Sequence, residues 1–457
     1  MPIIKNPKTK KYEETQKIVK TLQGKGFKTY LTGGCVRDML MRKEPQDFDI
    51  STSARPYEIE KIFPKTKAVG KQFGVILVSG KEADYEVATF RGESEYEDKR
   101  RPKKIHWVSA REDAKRRDFT VNALFYDPIA KKLIDYVNGQ DDVEQKIIRF
   151  IGKEDDRIKE DNLRILRAIR FKNILGFEYE GKTESAIKQY ARMVTNVSKE
   201  RIKDELDKIL LDKSRADGIL ELSDFRVLKY ILPEIEKMKN VEHPPHFHAE
   251  GDVFAHTILS LKKLPDKVSK EVAWATLLHD VGKPDTFKIR PHPEYGMRAT
   301  FYEHIEVGAK MTDKICRRLK FSNDEREKVV FLVREHLKHK DIPKMKLARQ
   351  RRWLSHPWMR DLMLVWKADG EASWLGEKNK VDLSLYEKAK KLYEEESKRP
   401  KPPKLFLNGN DVIKTLSIKE GPEVGKILKE LEDAQLEEKI KTKKEAIDFV
   451  KLIKIKK

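Results

Sequence analysis

Short apolar stretches separated by polar turns occupy the first part of the chain, and this spacing predicts strands alternating with helices. An apolar run at 27–31 ends in two glycines, a helical segment follows at 36–41, and a second short strand carries residues 47–49. Residues 73–79 and 85–90 have the pattern of neighbouring strands joined by a turn. The pattern therefore predicts an α/β region in this part of the chain.

The apolar positions change to a helical period after residue 140. Residues 141–232 are helical in pattern, prolines interrupt the chain at 244–245, and a second helical region follows at 252–369. The stretch 395–404 has the composition of a linker, and 405–457 predicts two or three basic helices. Residues 91–104 contain almost no apolar side chains, so we expect a mobile loop there.

The balance of charge indicates an acidic polymer as a partner. Lysine and arginine number 97 against 76 aspartates and glutamates, which gives a net charge of +21. A lysine- and glutamate-rich surface of the thermophilic kind would be close to balanced. RNA binding is the simplest explanation of the excess.

The cysteine content and the lengths of the apolar runs indicate the cellular compartment. Cys35 and Cys316 are too few for a disulfide framework and fit a reducing cytosol. The N-terminal segment has no apolar signal-peptide core, and no apolar run is long enough to span a bilayer. We therefore expect a cytoplasmic protein with no membrane partner.

The stretch from Gly33 to Asp49 carries the first candidate chemistry. Gly33 and Gly34 allow backbone amides to approach an anion at a helix start, and Arg37 follows on the first turn, where it can bind a phosphate. Asp47 and Asp49 are two apart on the predicted strand, so their carboxylates share a face. Two magnesium ions held there suit phosphoryl transfer.

The string GGCVRDMLMRKEPQDFDI at 33–50 resembles the signature of class II tRNA nucleotidyltransferases, the CCA-adding enzymes, and of their poly(A) polymerase relatives. The resemblance implies an α/β nucleotidyltransferase head with a polymerase-beta-like mixed sheet, followed by all-α neck, body, HD and tail domains. It implies template-independent addition of C, C and A to tRNA 3′ ends from CTP and ATP, with release of pyrophosphate.

Two further strings extend the resemblance. RRDFTVNAL at 116–124 matches the family's second motif, and its paired arginines, with Arg117 the nucleotide-binding candidate, can neutralise a triphosphate. FRGESEYEDKRRPKKI at 90–105 resembles the family's flexible loop, which is needed to pass from adding C to adding A. Glu86 is either a third acidic residue near the metals or a surface position on paired strands. The matching loop positions are Arg91, Glu93, Tyr96, Asp98, Arg100 and Pro102.

The string EDNLRILRAIRF at 160–171 resembles the family's base-reading motif. Asp161 and Arg164 lie three apart and would share a helix face. An acceptor-only carboxylate beside a donor-only guanidinium complements the amino group and ring nitrogen of cytosine and adenine, and repels uracil and guanine. The alternative is an intrahelical salt bridge between the two. Arg167 and Arg170 drift around the helix, so we assign them to phosphate or sugar contacts.

Most of the histidines lie after residue 240, and some of them follow the H…HD…D pattern of HD-type phosphohydrolases. His256, the adjacent His279 and Asp280, and Asp369 would bind a transition metal. His304 and His336 would complete a second metal position. Core or capping roles are the better interpretation for the remaining candidates, His243, His246, His248, His292, His339 and His356.

Together these features predict four domains: a nucleotidyltransferase head at 1–140, a helical neck and body with the nucleotide-selecting helix at 141–240, an HD phosphohydrolase-type helical domain at 245–375, and a basic helical tail at 400–457. The expected cofactors are two Mg²⁺ ions in the head and a transition metal in the HD domain. The expected partners are tRNA, CTP and ATP, in a monomer or homodimer.

Other functions fit parts of the same pattern. The chain would alternatively be a poly(A) polymerase or a nucleotidyltransferase adding only A or only CC. The intact segment 90–105 argues against CC-only addition, because enzymes that stop at CC resemble this pattern with the loop shortened. A different class of function is an RNA phosphohydrolase whose head only binds RNA, and the intact Asp47–Asp49 pair argues against it.

Overall fold

The structure is a computed structural model that describes residues 4, 6–70, 74–96, 102–243, 251–294, 296–374, 381–399 and 404–455. The chain divides into two compact units. The first consists of Met1–Ile209 with Asp217–Ile231, and the second of Leu210–Ala216 with Leu232–Lys457.

A seven-stranded mixed sheet forms the centre of the first unit. The strands of this unit are β1 (Thr29–Thr32), β2 (Asp49–Thr52), β3 (Thr66–Gly70), β4 (Val75–Ser79), β5 (Asp84–Thr89), β6 (Arg91–Tyr96), β7 (Pro102–Trp107), β8 (Phe125–Asp127), β9 (Lys132–Ile134), β10 (Ile147–Ile148) and β11 (Glu178–Tyr179). The sheet order is β3-β4-β5-β2-β1-β8-β9. Its neighbours are antiparallel except β2 and β5, which run parallel. The prediction of an α/β head with a mixed sheet is confirmed.

Helices pack on this sheet through apolar faces. The helices of the first unit are α1 (Lys10–Gly24), α2 (Gly34–Leu40), α3 (Pro56–Ile62), α4 (Ala110–Arg116), α5 (Gly139–Gln145), α6 (Glu154–Glu160), α7 (Arg164–Leu175), α8 (Gly181–Tyr190), α9 (Lys199–Leu211), α10 (Arg215–Asp224) and α11 (Leu228–Ile231). In α1, Thr9 caps the first turn and Ile18, Val19 and Leu22 are buried at helical spacing. In α2, Val36 and Met39 are buried in the same way, which fixes the helix that follows the glycine pair.

Two predictions about this unit differ from the structure. Residues 91–104 were expected to form a loop, but β6 and β7 pair antiparallel there, from Arg91 opposite Trp107 to Tyr96 opposite Pro102. Backbone hydrogen bonds make such a hairpin without the apolar alternation that marks a strand in sequence. Asp98 and Arg100 lie outside the described residues. Asp47 was placed on a strand, whereas β2 begins at Asp49.

The second unit is almost entirely helical. Its elements are α12 (Pro233–Glu236), α13 (Val253–Lys263), α14 (Lys270–Leu278), α15 (Lys283–Thr286), β12 (Lys288–His292), β13 (Gly296–Thr300), α16 (His304–Arg318), α17 (Asn323–Arg334), α18 (Leu347–Leu354), α19 (Met359–Ala372), α20 (Ser384–Ser397), α21 (Gly409–Leu416), α22 (Pro422–Leu436) and α23 (Lys443–Ile455). Helix α14 has buried side chains all round, with Trp274 fully enclosed, so it is the central helix of the bundle. The last three helices share a small core that includes Val412, Leu431 and Val450.

Single turns of 3-10 helix connect several of these elements, at Thr120–Asn122, Ala191–Asn196, Lys338–Lys340 and Ile342–Lys344. Within the part of the chain that the structure describes, none of the helices combines the length and apolar character needed to cross a membrane.

Candidate active sites

The corner between β1 and α2 brings the backbone close to charged groups. Gly33 has φ 75° and ψ −136°, a conformation that residues with a side chain rarely adopt. A Cβ at this position would lie 3.3 Å from Arg117 Nη1 and 3.8 Å from Asp49 Oδ2. Glycine is therefore required both by the backbone angle and by the close approach of these two side chains, and Gly34 begins the helix beside it.

Two carboxylates on parallel strands open into one cavity. Ile50 on β2 is opposite Val87 on β5, and both are buried. The preceding residues, Asp49 and Glu86, consequently point to the opposite face, where they line a cavity of about 840 Å³. Glu86 is thus in the position expected of a third acidic residue.

The electrostatics of these carboxylates fit a cation. Burial raises the pKa of Asp49, and the charge of Asp47 raises it further, although Arg117 opposes both. Burial and the charge of Asp49 raise the pKa of Glu86. Carboxylates that raise one another's pKa are electrostatically unfavourable unless a cation joins them, and oxygen ligands suit Mg²⁺. Asp47 itself precedes β2 and is not among the residues lining the cavity.

Arginines from α2 and from the end of α4 line the same cavity. Arg37 Nη1 donates to Asn122 Oδ1 at 2.6 Å, and its guanidinium is held by Asp38. Arg117 donates from Nη1 to the Asn122 carbonyl at 3.2 Å and from Nη2 to Asp113 Oδ2 at 3.1 Å. Both guanidinium groups are therefore fixed in place beside the carboxylates, which is the arrangement that a polyphosphate requires.

The predicted geometry of Asp161 and Arg164 is wrong. Helix α6 ends at Glu160 and α7 begins at Arg164, and Asp161 between them is extended, with φ −143° and ψ 103°. Its carbonyl accepts from the Arg164 amide at 3.1 Å and its Oδ1 from the Leu163 amide at 3.1 Å, so it caps the turn. The two residues consequently do not share a helix face.

The ion pairs of Asp161 and Arg164 also differ from the alternative of an intrahelical pair between the two. Asp161 Oδ2 accepts from Arg201 Nη2 at 2.7 Å. Arg164 Nη1 donates to Glu160 Oε2 at 2.8 Å and to the Arg157 carbonyl at 2.7 Å. Asp161, Arg164 and Arg201 nevertheless all line the cavity. Their role in reading a base stays a prediction, and it now includes the Arg201 guanidinium.

Arg167 and Arg170 occupy different positions. Arg167 lines the cavity and donates from Nε to Asp118 Oδ2 at 2.7 Å. Burial alone would raise the pKa of Asp118, but Arg167 holds it below its usual value. Arg170 is not among the cavity-lining residues: its Nε donates to Glu205 Oε2 at 2.6 Å and its guanidinium lies over the Phe171 ring. Arg170 is therefore held by Glu205 and Phe171 in this structure, and its phosphate or sugar contact stays a prediction.

Sequence reasoning missed two buried acids that hold the arginines. Asp113 is 1% exposed and binds both Arg116 and Arg117. Glu205 on α9 is 2% exposed and pairs with Arg170. The signal for Asp113 was present, since it lies three and four residues before the two arginines, which is the spacing of neighbours on a helix. No local spacing indicates the pairing of Glu205, because its partner is 35 residues away.

A second candidate centre lies in the helical bundle of the second unit. His256, His279 and Asp369 have ligand atoms within 4.8 Å of one another. His256 Nε2 is 3.0 Å from Asp369 Oδ1 and 3.3 Å from His279 Nε2. The ligand atoms of a second triplet, Asp280, His304 and His336, also lie within 4.8 Å of one another. The residues predicted from the H…HD…D pattern are therefore brought together, in two neighbouring groups.

Hydrogen bonds orient three of the imidazoles in one manner. Nδ1 faces a backbone carbonyl three residues earlier in His279 at 2.8 Å, His304 at 2.8 Å and His336 at 2.6 Å. A carbonyl only accepts, so each Nδ1 donates its proton there, and each Nε2 is left to face the other candidate ligands. His304 Nε2 and Asp280 Oδ1 are buried and without a hydrogen-bond partner among the described residues. This donor set fits transition-metal ions.

Among the histidines assigned to core or capping roles, His243 lies next to this centre. Its Nε2 is 3.1 Å from Lys283 Nζ, which also donates to Asp280 Oδ2 at 2.6 Å. His339 packs against Trp366, and His356 stacks on Phe331 at 4.2 Å, as expected of packing residues. The remaining three candidates are His292, which is on β12, and His246 and His248, which lie outside the described residues.

Comparisons with known proteins agree with this geometry. Three family models match: Poly A polymerase head domain over 29–149, probable RNA and SrmB-binding site of polymerase A over 176–239, and HD domain over 254–401. The CCA-adding enzyme of Lactococcus lactis subsp. cremoris is 32% identical over 95% of each chain. That of Staphylococcus epidermidis is 40% identical over 48% of this chain and 55% of its own length. The crystal structure of the Bacillus stearothermophilus CCA-adding enzyme in complex with CTP matches with a TM-score of 0.73 and 25% identity, covering 98% of each chain.

The fold and the cavity thus define a nucleotidyltransferase head in a chain that also carries an HD domain. More specifically, the chain belongs to the CCA-adding enzymes, a family of tRNA nucleotidyltransferases.

Proposed function

We propose that the first unit adds C, C and A to the 3′ end of tRNA from CTP and ATP, with release of pyrophosphate. The observation that carries this proposal is the cavity in which Asp49 and Glu86 face Arg37 and Arg117. Structures of CCA-adding enzymes in complex with CTP, with ATP and with tRNA support the choice of substrates.

The carboxylates Asp47, Asp49 and Glu86 would hold two magnesium ions. When bound, the ions supply charge stabilisation for the attacking and leaving oxygens. Arg37 and Arg117 neutralise the triphosphate, and the absence of a side chain at Gly33 lets the triphosphate approach the backbone closely. Each guanidinium is already held by an amide or a carboxylate neighbour, so it needs little reorganisation when charge develops in the transition state.

Base choice is assigned to the turn between α6 and α7. Asp161 offers acceptor oxygens, and Arg164 and Arg201 offer only donors, all at the cavity wall. Cytosine and adenine present an amino group beside a ring acceptor and satisfy both kinds of group. Uracil and guanine present a carbonyl beside an N–H and would leave the carboxylate facing a carbonyl oxygen. Arg167 would contact phosphate or sugar.

The decisive assay uses tRNA that ends at the discriminator base, incubated with each nucleotide alone and then with CTP and ATP together. Addition of CC from CTP alone, completed by one A when ATP is present, supports the proposal. A long A tract would instead identify a poly(A) polymerase, and extension only of tRNA ending in CC would identify an A-adding enzyme. Either outcome contradicts the proposal.

The second unit would carry a separate phosphohydrolase activity on RNA ends, such as 2′,3′-cyclic or 3′-phosphates. The two buried ligand triplets support this assignment. When bound, transition-metal ions activate water and polarise the phosphoester. Protein purified without chelators should contain nickel, manganese or cobalt and cleave these ends. Absence of both metal and cleavage would contradict this second activity.

A further inference from the structure

A two-stranded hairpin projects from the HD domain between two of its predicted metal ligands. Strands β12 and β13 connect α15 to α16, so the hairpin lies in the chain between Asp280 and His304. The two strands pair antiparallel over five positions, from Lys288 opposite Thr300 to His292 opposite Gly296. A two-stranded hairpin is only marginally stable by itself, so contacts beyond its own strand pairing must hold it in place.

The two faces of the hairpin differ in chemistry. Alternation puts Lys288, Arg290 and Arg298 on one face, and Ile289 and Met297 on the other. Ile289 is 59% exposed and Met297 66% exposed. Arg290 and Arg298 are directly opposite each other, and like charges in that position destabilise a strand pair. Lys288, Arg290 and Arg298 together make this face complementary in charge to a polyanion.

An aromatic side chain extends the basic face toward the metal ligands. Tyr302 is 63% exposed, and the Arg290 guanidinium lies 5.0 Å from the centre of its ring. An exposed ring beside cations is the usual platform for an unpaired base, because every base has a face that can stack.

The foot of the hairpin contacts the groups around the candidate metal centre. Phe287 packs on Phe301 at 5.9 Å, and Phe301 packs in turn on His243 at 5.6 Å. Lys283 Nζ lies 5.4 Å from the Phe301 ring and donates to Asp280 Oδ2. These contacts anchor the base of the hairpin beside the ligand triplets, so RNA held by the hairpin would lie close to them.

We infer that this hairpin is an RNA-docking arm: Lys288, Arg290 and Arg298 bind the phosphates of a single-stranded 3′ end, Tyr302 stacks on one of its bases, and the terminal phosphoester is thereby delivered to the HD centre. The inference rests on the proposed phosphohydrolase activity and narrows its substrate to RNA ends, as opposed to free nucleotides or small phosphoesters.

The test compares an RNA substrate with a small one. The variant Arg290→Thr/Arg298→Thr keeps a β-branched residue on each strand, and Lys310→Ala/Lys314→Ala removes two exposed charges from α16 as the matched control. With manganese or nickel, the substrates are bis(p-nitrophenyl) phosphate and an RNA oligonucleotide ending in a 2′,3′-cyclic phosphate. In the hairpin variant we expect the KM for RNA to rise about tenfold. The slope of log binding constant against log salt concentration should become shallower by about 1.4, because two phosphate contacts are lost. The small ester, which reports an intact centre, should be cleaved at the wild-type rate.

A second readout does not depend on hydrolysis. The RNA carries 4-thiouridine next to its 3′ end, is cross-linked to the full chain, and the modified peptide is identified. Cross-links within 287–302 that are lost in Tyr302→Ala support the arm, even if no phosphoester is cleaved and the proposed hydrolysis fails. Cleavage of RNA that is equally fast in the hairpin variant, with cross-links elsewhere, would overturn the arm while leaving the hydrolysis standing. Equal losses for RNA and small ester would also overturn it.

Discussion

The head cavity and the HD centre both assemble carboxylates, but their electrostatics are opposite. In the head, Asp49 and Glu86 have raised pKa values, because burial and neighbouring acids outweigh Arg117 and Arg91. In the HD centre, burial is opposed by His279, Lys283 and His256, and the pKa of Asp280 lies well below its usual range.

The difference indicates how each site would use metal. In the head, Asp49 and Glu86 are less readily ionised than free carboxyl groups, and a magnesium ion that arrives with the nucleotide would stabilise their charged forms. The HD centre has nitrogen ligands already oriented by backbone carbonyls, which favours tighter binding of a transition metal. Four predictions test this contrast, in order of decreasing effect.

The largest effect is expected in the head. Asp49→Ala should lower nucleotide addition on the order of a thousandfold, because a carboxylate that would hold the cation is lost. Single-turnover addition to tRNA measures it. Glu44→Ala, an exposed acid on the same loop, is the control and should be near wild type. A well-folded Asp49→Ala protein with normal turnover would remove the basis for the metal site.

The second prediction concerns the HD centre. His279→Ala should strip transition metal from the purified protein and lower phosphoester cleavage by about a hundredfold or more, while nucleotide addition is unchanged. Elemental analysis gives the metal content directly. The control is Asp285→Ala, an exposed acid close by in sequence. Undiminished metal content in His279→Ala would show that the ion is bound by other residues.

The third prediction separates base reading from a structural salt bridge. Asp161→Ala removes the acceptor while Arg164 and Arg201 stay to donate to uracil or guanine. A charged hydrogen bond contributes roughly 1.5–3 kcal/mol, so discrimination should fall about ten- to a hundredfold. Single-nucleotide kinetics measure this, with Asp156→Ala, which removes an exposed acid on α6, as the control for loss of a nearby negative charge. A lower melting temperature with unchanged rejection of UTP and GTP would assign the pair to structure.

The smallest effect is on stability in mild acid. Burial lowers the pKa of His336 to about 3 in the folded protein, whereas the pKa of an unfolded histidine is near 6.5. Between pH 6.5 and pH 3 the unfolded chain therefore binds more protons than the folded chain. Stability of the metal-free second unit should therefore decrease as pH falls through this window. The raised pKa values of Asp49 and Glu86 have the opposite effect on stability as pH falls, because at these residues the folded form binds more protons.

Hydrogen exchange measured on the full chain between pH 7 and 5 reports the stability of each unit separately. Amides of α14 and α17 should lose protection as pH falls, whereas those of β1 and β2 should not. His336→Asn would reduce the pH dependence of the second unit. Equal loss in both units would show that the buried imidazoles do not govern it.

The sequence predicted residue types and elements well where spacing is local. The Gly33–Asp49 signature, the mixed sheet and the H…HD…D set follow from periodicity and from resemblance. Asp161 was misplaced because a three-residue step gives a shared face only while a helix continues, and the backbone becomes extended there. The 91–107 hairpin was missed because backbone pairing leaves no apolar pattern. Partners distant in sequence, such as Glu205 for Arg170, are fixed only by packing.

The adjacency of His279 and Asp280 has a thermodynamic consequence. Each triplet takes one of these consecutive residues, so the two positions share a single short stretch of backbone. His279 Nε2 and Asp280 Oδ2 are 3.2 Å apart, and a cation at either residue changes the field at the other. We therefore expect linkage between the two ions: occupancy of one position alters the affinity of the other by a coupling free energy, and by reciprocity the same factor applies in the reverse order of loading.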